Sequence, residues 1–178
     1  MEGLNILVEK LSHYNFVTNI VPGTVLCIVL KYLVGYDLFV TDNWYVMGII
    51  FYFVGMICNR FGSLVIEPLL KKWAKKYFKF APYKNYVEAE KKDHKIEILN
   101  RESNVFRSCI SLCVLSLIAL LFQFLSSKCD CLNEWKSVIF LVLVSLLFLF
   151  SYQKQITFVR KRVEVYFPEK NENEKEGK

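Results

Sequence analysis

Arg60 and Glu67 are charged residues set in or at the edge of an apolar run, Trp44 to Lys76, and they stand seven positions apart. On a regular helix that spacing puts them on one face. Charge in a membrane helix costs about 2.5–3.5 kcal/mol at its centre and less toward its ends, so such groups pair, face a bundle interior or reach for the headgroups. Asn59 beside Arg60, and Asn19 in the preceding apolar run, add amides that can hydrogen-bond across a helix contact. Asn19, Asn59, Arg60 and Glu67 are therefore candidates for the lining or gate of a pore, where a ring of Arg favours anions or controls opening. Gly48, Gly55 and Gly62 recur at every seventh position and make a stripe along which neighbouring helices could pack closely. Snorkelling of Arg60, and the ordinary abundance of glycine in membrane helices, are the plainer readings.

A second chemistry-bearing stretch follows. Lys71, Lys72, Trp73, Lys75, Lys76, Tyr77, Lys79, Tyr83, Lys84 and Tyr86 interleave ammonium groups with aromatic rings. Lysines attract phosphates, and flat rings offer sequence-tolerant stacking platforms for single-stranded bases. The same composition also marks the headgroup belt at the inner end of a membrane helix. The positive charge continues to Lys95 and Arg101, past the reach of headgroups if the helices stand upright.

The sequence argues against catalysis. His13 and His94 belong to different segments, and neither metal-ligand spacing nor a glycine-rich phosphate loop occurs. The serines have no His and Asp nearby, so a non-enzyme without cofactor or metal is expected. Cys27, Cys58, Cys109 and Cys113 lie in apolar runs as soft packing residues. Cys129-x-Cys131 is too short a pattern to imply zinc.

The elements that would position these residues follow from hydropathy. The chain has 178 residues, is 54% hydrophobic and has a mean hydropathy of +0.29. With four apolar runs, those values describe an all-α polytopic membrane protein with four transmembrane helices and cytosolic helical extensions. Residues 1–15 form an amphipathic N-terminal helix and 16–70 a first transmembrane hairpin, in which Asn19 and Asn59 lie at similar depth. Residues 71–105 form a basic cytosolic helical hairpin, with Ala81-Pro82 ending the helix that leaves the membrane. Alternation in KIEIL and VEVYF leaves open a strand pairing there. Residues 106–152 form the second transmembrane hairpin. Residues 153–178 combine a helical extension, on which Ile156, Val159, Val163 and Phe167 share a face, with a disordered polar tail.

Net charge is +6, and residues 71–107 alone carry it, with eleven Lys/Arg against five Asp/Glu. The loops at 35–43 and near 126–136 lack this basic excess, so the positive-inside rule places both termini and the middle loop in the cytosol.

This plan resembles small bacterial anti-phage membrane proteins, namely the channel effector of Hailong systems and the membrane component of Kiwa systems. The likeness is one of whole-chain architecture, and no family residue carries over. It implies a homotetramer in the bacterial inner membrane. The Hailong type further implies control by single-stranded DNA oligomers made by a partner nucleotidyltransferase. Two functions follow: an oligomeric ion channel gated through the basic region by an oligonucleotide-type ligand, or a non-conducting sensor or scaffold that recruits a soluble DNA-binding partner.

Overall fold

A computed structural model describes residues 18–39, 41–74, 76–128 and 133–167. The N-terminal amphipathic segment, Lys75, Cys129, Cys131 and the polar tail lie outside the described residues. The described residues are helical, with no strand among them. Helix α1 spans Thr18–Val34, α2 Trp44–Trp73, α3 Tyr83–Lys92, α4 Lys95–Ser126 and α5 Lys136–Tyr166. Three of these, α2, α4 and α5, are long and apolar enough to cross a membrane, whereas α1 is a shorter apolar helix.

Helix α2 starts where the Asn43 side chain accepts from the Tyr45 N–H at 3.0 Å, meeting one of the unpaired donors of the first turn. The preceding link is fastened by Lys31, whose Nζ lies 3.0 Å from Asp37 and over the Phe39 ring. Helix α2 is not uniform. Over Gly62–Ile66 its turn widens, so that the N–H of Glu67 reaches back five residues to the Gly62 carbonyl. The cause follows directly: Pro68 has no N–H to close the next turn, and its ring crowds the carbonyl four residues before it. One extra residue in a turn rotates everything beyond it by about 100°. Arg60 and Glu67 therefore do not share the face that their spacing implies.

Two other expectations change. The helix leaving the apolar run ends at Trp73, not at Ala81-Pro82, and Pro82 instead precedes the first turn of α3. KIEIL opens α4 and VEVY closes α5, both as helix, so the strand pairing does not form. KIEIL is covalently continuous with the long apolar helix that follows, and helix propagation adds one hydrogen bond for each residue fixed.

Backbone contact is closest between α1 and α2. A Cβ on Gly23 would overlap the Phe51 carbonyl, and one on Gly55 would overlap the Asn19 carbonyl. Gly62 meets α4 instead, against Ser111 and Arg107, while Gly48 faces open space. The glycine stripe thus serves two different neighbours and leaves its first member unused. Ser108 and Ser111 are buried on the α4 side of this contact, where small side chains allow approach. Helix α5 is the least covered of the three long helices.

Candidate functional site

The charged groups of three helices meet at one carboxylate. Glu67 Oε1 accepts from Lys71 Nζ at 2.6 Å, and Oε2 accepts from Arg107 Nη1 at 2.9 Å and Lys154 Nζ at 3.3 Å. Glu67 and Lys71 are on α2, Arg107 on α4 and Lys154 on α5. All except Lys71 are mostly covered by the surrounding helices. Three cations around one anion leave the cluster with excess positive charge.

The wide turn of α2 is part of the site. In a regular helix the Ser63 carbonyl would accept from the Glu67 N–H, which here goes to Gly62. In a widened turn its donor would be residue 68, which is proline. Lys154 Nζ fills the vacancy at 2.5 Å and also reaches Ser63 Oγ at 2.8 Å. A backbone carbonyl released within lipid requires such a partner.

From Glu67 the polar contacts continue toward α1. Arg107 Nη2 donates to Asn59 Oδ1 at 3.4 Å, and Asn59 Nδ2 donates to Asn19 Oδ1 at 3.4 Å. The direction is fixed chemically, because guanidinium only donates and so orients the Asn59 amide. One line of polar groups therefore links all four apolar helices. Arg60 is half-buried and, among the described residues, makes no ion pair.

Helix lengths locate this cluster along the spans. By a rise of 1.5 Å per residue, Arg107 lies about 29 Å from Ser126, and Lys154 about 27 Å from Lys136. Both match a hydrocarbon core about 30 Å thick. The cluster therefore sits at the basic boundary of the spans, with Asn59 about 12 Å deeper.

The basic-aromatic residues divide into two groups. Trp73 and Tyr77 are each 81% exposed, and Lys72, Lys76, Lys79 and Lys84 are also exposed. Tyr83 packs on Phe158 of α5 with ring centroids 5.8 Å apart. Tyr86 donates its hydroxyl hydrogen to Glu90 at 2.8 Å and accepts from Asn100 at 3.1 Å. Burial and the Glu90 carboxylate push the Tyr86 phenol up to about 12. Tyr83 and Tyr86 thus tie α3 to α5 and α4 respectively. Lys71 belongs to both regions, with Nζ also 4.6 Å from the centroid of Phe80 in the connector.

Arg107 and Lys154 were not among the site residues singled out from sequence, whereas Ser63, beside the glycine stripe, offered a hydroxyl for a contact across helices and makes one with Lys154. The available signal was positional: Arg107 immediately precedes one apolar run and Lys154 closely follows another, at the end where Glu67 leaves a third. Among the described residues no group of His, Cys, Asp and Glu could hold a metal ion. No protein-family model, curated protein or solved structure matches the chain.

Proposed function

We propose that the chain is a multi-pass effector of the bacterial inner membrane, with α1 as a fourth crossing and both termini cytosolic. It assembles as a homo-oligomer, a tetramer on the architectural resemblance, into an ion channel used in anti-phage defence. A nucleic-acid or nucleotide-type ligand opens it through the basic cytosolic region.

The observation that carries this reading is the double engagement of Lys71 by Glu67 and Phe80. A phosphate bound on the connector competes with Glu67 for Lys71, and releasing Glu67 Oε1 alters the balance among Arg107, Lys154 and the three helices they join. Exposed Trp73 and Tyr77 supply stacking faces beside the lysines. The test is conductance of the purified protein in planar bilayers, together with titration by short single-stranded oligonucleotides at two salt concentrations. Saturable binding that weakens with salt, and current that rises with occupancy, are expected. Absence of saturable binding at low salt rejects the ligand, and absence of current with ligand bound rejects the channel.

A second reading draws on the same cluster. Both oxygens of Glu67 are occupied within one protomer, which favours a structural tie in a non-conducting scaffold that recruits a soluble DNA-binding protein. Copurification of a stoichiometric cytosolic protein, without ion flux, would select it.

A further inference from the structure

The outer face of α5 carries an unbroken heptad pattern that runs out of the membrane. Tyr152, Ile156, Val159, Val163 and Tyr166 are spaced four, three, four and three residues apart, and each is exposed. The same spacing reads back into the span through Leu149, Ser145 and Val142, also exposed. Sustained 3.5-residue periodicity is the signature of a coiled-coil seam. Within the span it has little force, since nearly every residue there is apolar. Past Lys154 it is selective, because the intervening positions are largely Gln, Thr, Lys, Arg and Glu.

The other side of this extension is already occupied. Lys154, Phe158 and Arg162, each four residues apart, meet Ser63 and Glu67 on α2 and Tyr83 and Glu90 on α3. From Tyr152 to Val163 the heptad face therefore points away from the protomer, whereas at Tyr166 the Lys91 ammonium of α3 lies over the ring, 3.9 Å from its centroid. Lipid covers its membrane part but not the part beyond the boundary marked by Lys154, where the alternative to a partner is water.

We infer that this face of α5 is the seam at which copies of the chain meet, as parallel, in-register helices that continue from the bilayer into the cytosol. Three observations favour a second copy over another protein. A membrane inserts every copy in one orientation, so identical helices arrive parallel with the same residues at the same height. The seam positions carry no charge. The flanking arginines are paired within the chain, Arg160 with Glu164 at 2.8 Å and Arg162 with Glu90 at 3.3 Å, so two copies approach without an uncompensated arginine rim. The driving force lies mainly outside the bilayer, because burial from water favours contact there whereas lipid and protein are equally apolar within. The inference rests on the oligomeric part of the proposed function and is independent of conduction.

The test uses the full chain in membranes, with photoreactive benzoylphenylalanine in place of Val159, Val163, Thr157 or Lys161. Irradiation should give an adduct of twice the chain mass from 159 and 163 and not from 157 and 161. Equal yields at all four positions, no adduct, or adducts only with a protein of different mass would overturn the seam. Val159→Glu, at an exposed position, should reduce the detergent-solubilised particle to one protomer with helical content unchanged; an oligomer of unchanged mass would count against it. Homotypic adducts from a protein that passes no current would reject the channel and leave the seam standing.

Discussion

Lys154 donates to the Ser63 carbonyl at 2.5 Å, filling a hydrogen-bond position on α2 that Pro68 leaves empty. The link makes a backbone irregularity in one helix dependent on a side chain from another. Lys154→Met should cost about 1–3 kcal/mol, the range for leaving a buried acceptor unsatisfied. Pro68→Ala restores an N–H and should make Lys154 less necessary. A double-mutant cycle by thermal unfolding in one detergent should therefore give a coupling above about 0.5 kcal/mol. The loss of the Lys154–Glu67 contact occurs on both sides of the cycle and cancels, so additive effects would separate Lys154 from the proline.

The glycines predict an order of sensitivity. A methyl group at Gly55 meets the Asn19 backbone, which cannot turn aside, and should cost about 1–3 kcal/mol through separation of α1 from α2. At Gly62 the nearest atom is the rotatable Ser111 hydroxyl, so Gly62→Ala should cost less. At Gly48 nothing lies nearby, and Ala should be neutral or stabilising by up to about 1 kcal/mol through helix propensity. Thermal unfolding of the three variants checks the order.

The apolar helices were legible because their signal is long and local. The α5 extension was legible for the same reason, with Ile156, Val159 and Val163 holding one face through a polar background. The depth match of Asn19 and Asn59 followed from hairpin geometry alone. The Glu67 cluster was not legible, because its Arg107 and Lys154 partners are 40 and 87 residues away in sequence. Heptad counting favoured Arg60 instead, since seven residues restore a helical face only while every turn is regular. The Pro68 that spoils this regularity was visible, but its consequence depends on how the chain accommodates the missing donor.

Glu67 is the shared anion of three cations, so neutralising it should cost more than removing any one of them. Glu67→Gln preserves size and leaves Arg107 and Lys154 close together without the carboxylate between them. A loss of about 3 kcal/mol is expected, the lower end for breaking a buried pair, because the cluster lies at the span boundary. Replacing Arg107 by Met in the same chain removes one like-charged neighbour and should recover part of that loss. Unfolding midpoints of the single and double variants check it.

Arg60 makes no ion pair among the described residues and tests a different property. Its replacement by Ala should change unitary conductance or anion preference in planar bilayers while the unfolding free energy changes by less than about 1 kcal/mol, because no pairing is lost. Unchanged conductance would remove Arg60 from the gate.

Tyr86 gives the contact between α3 and α4 a pH signature. Its phenol is raised from 10.0 to about 12 by burial and by donation to Glu90, and both effects favour the protonated form. The folded value lies above the unfolded one, so the stabilisation is fully present below pH 10 and is lost as pH rises through about 12. Ionising the phenol would place an anion against the Glu90 carboxylate and abolish the hydrogen bond that joins them. Near-ultraviolet titration of the parent minus Tyr86→Phe should therefore show a single phenol with a midpoint near 12, later than an unperturbed tyrosine. A difference curve centred at 10 would mean that Tyr86 faces water in solution, and α3 would then not be held on α4 through Asn100.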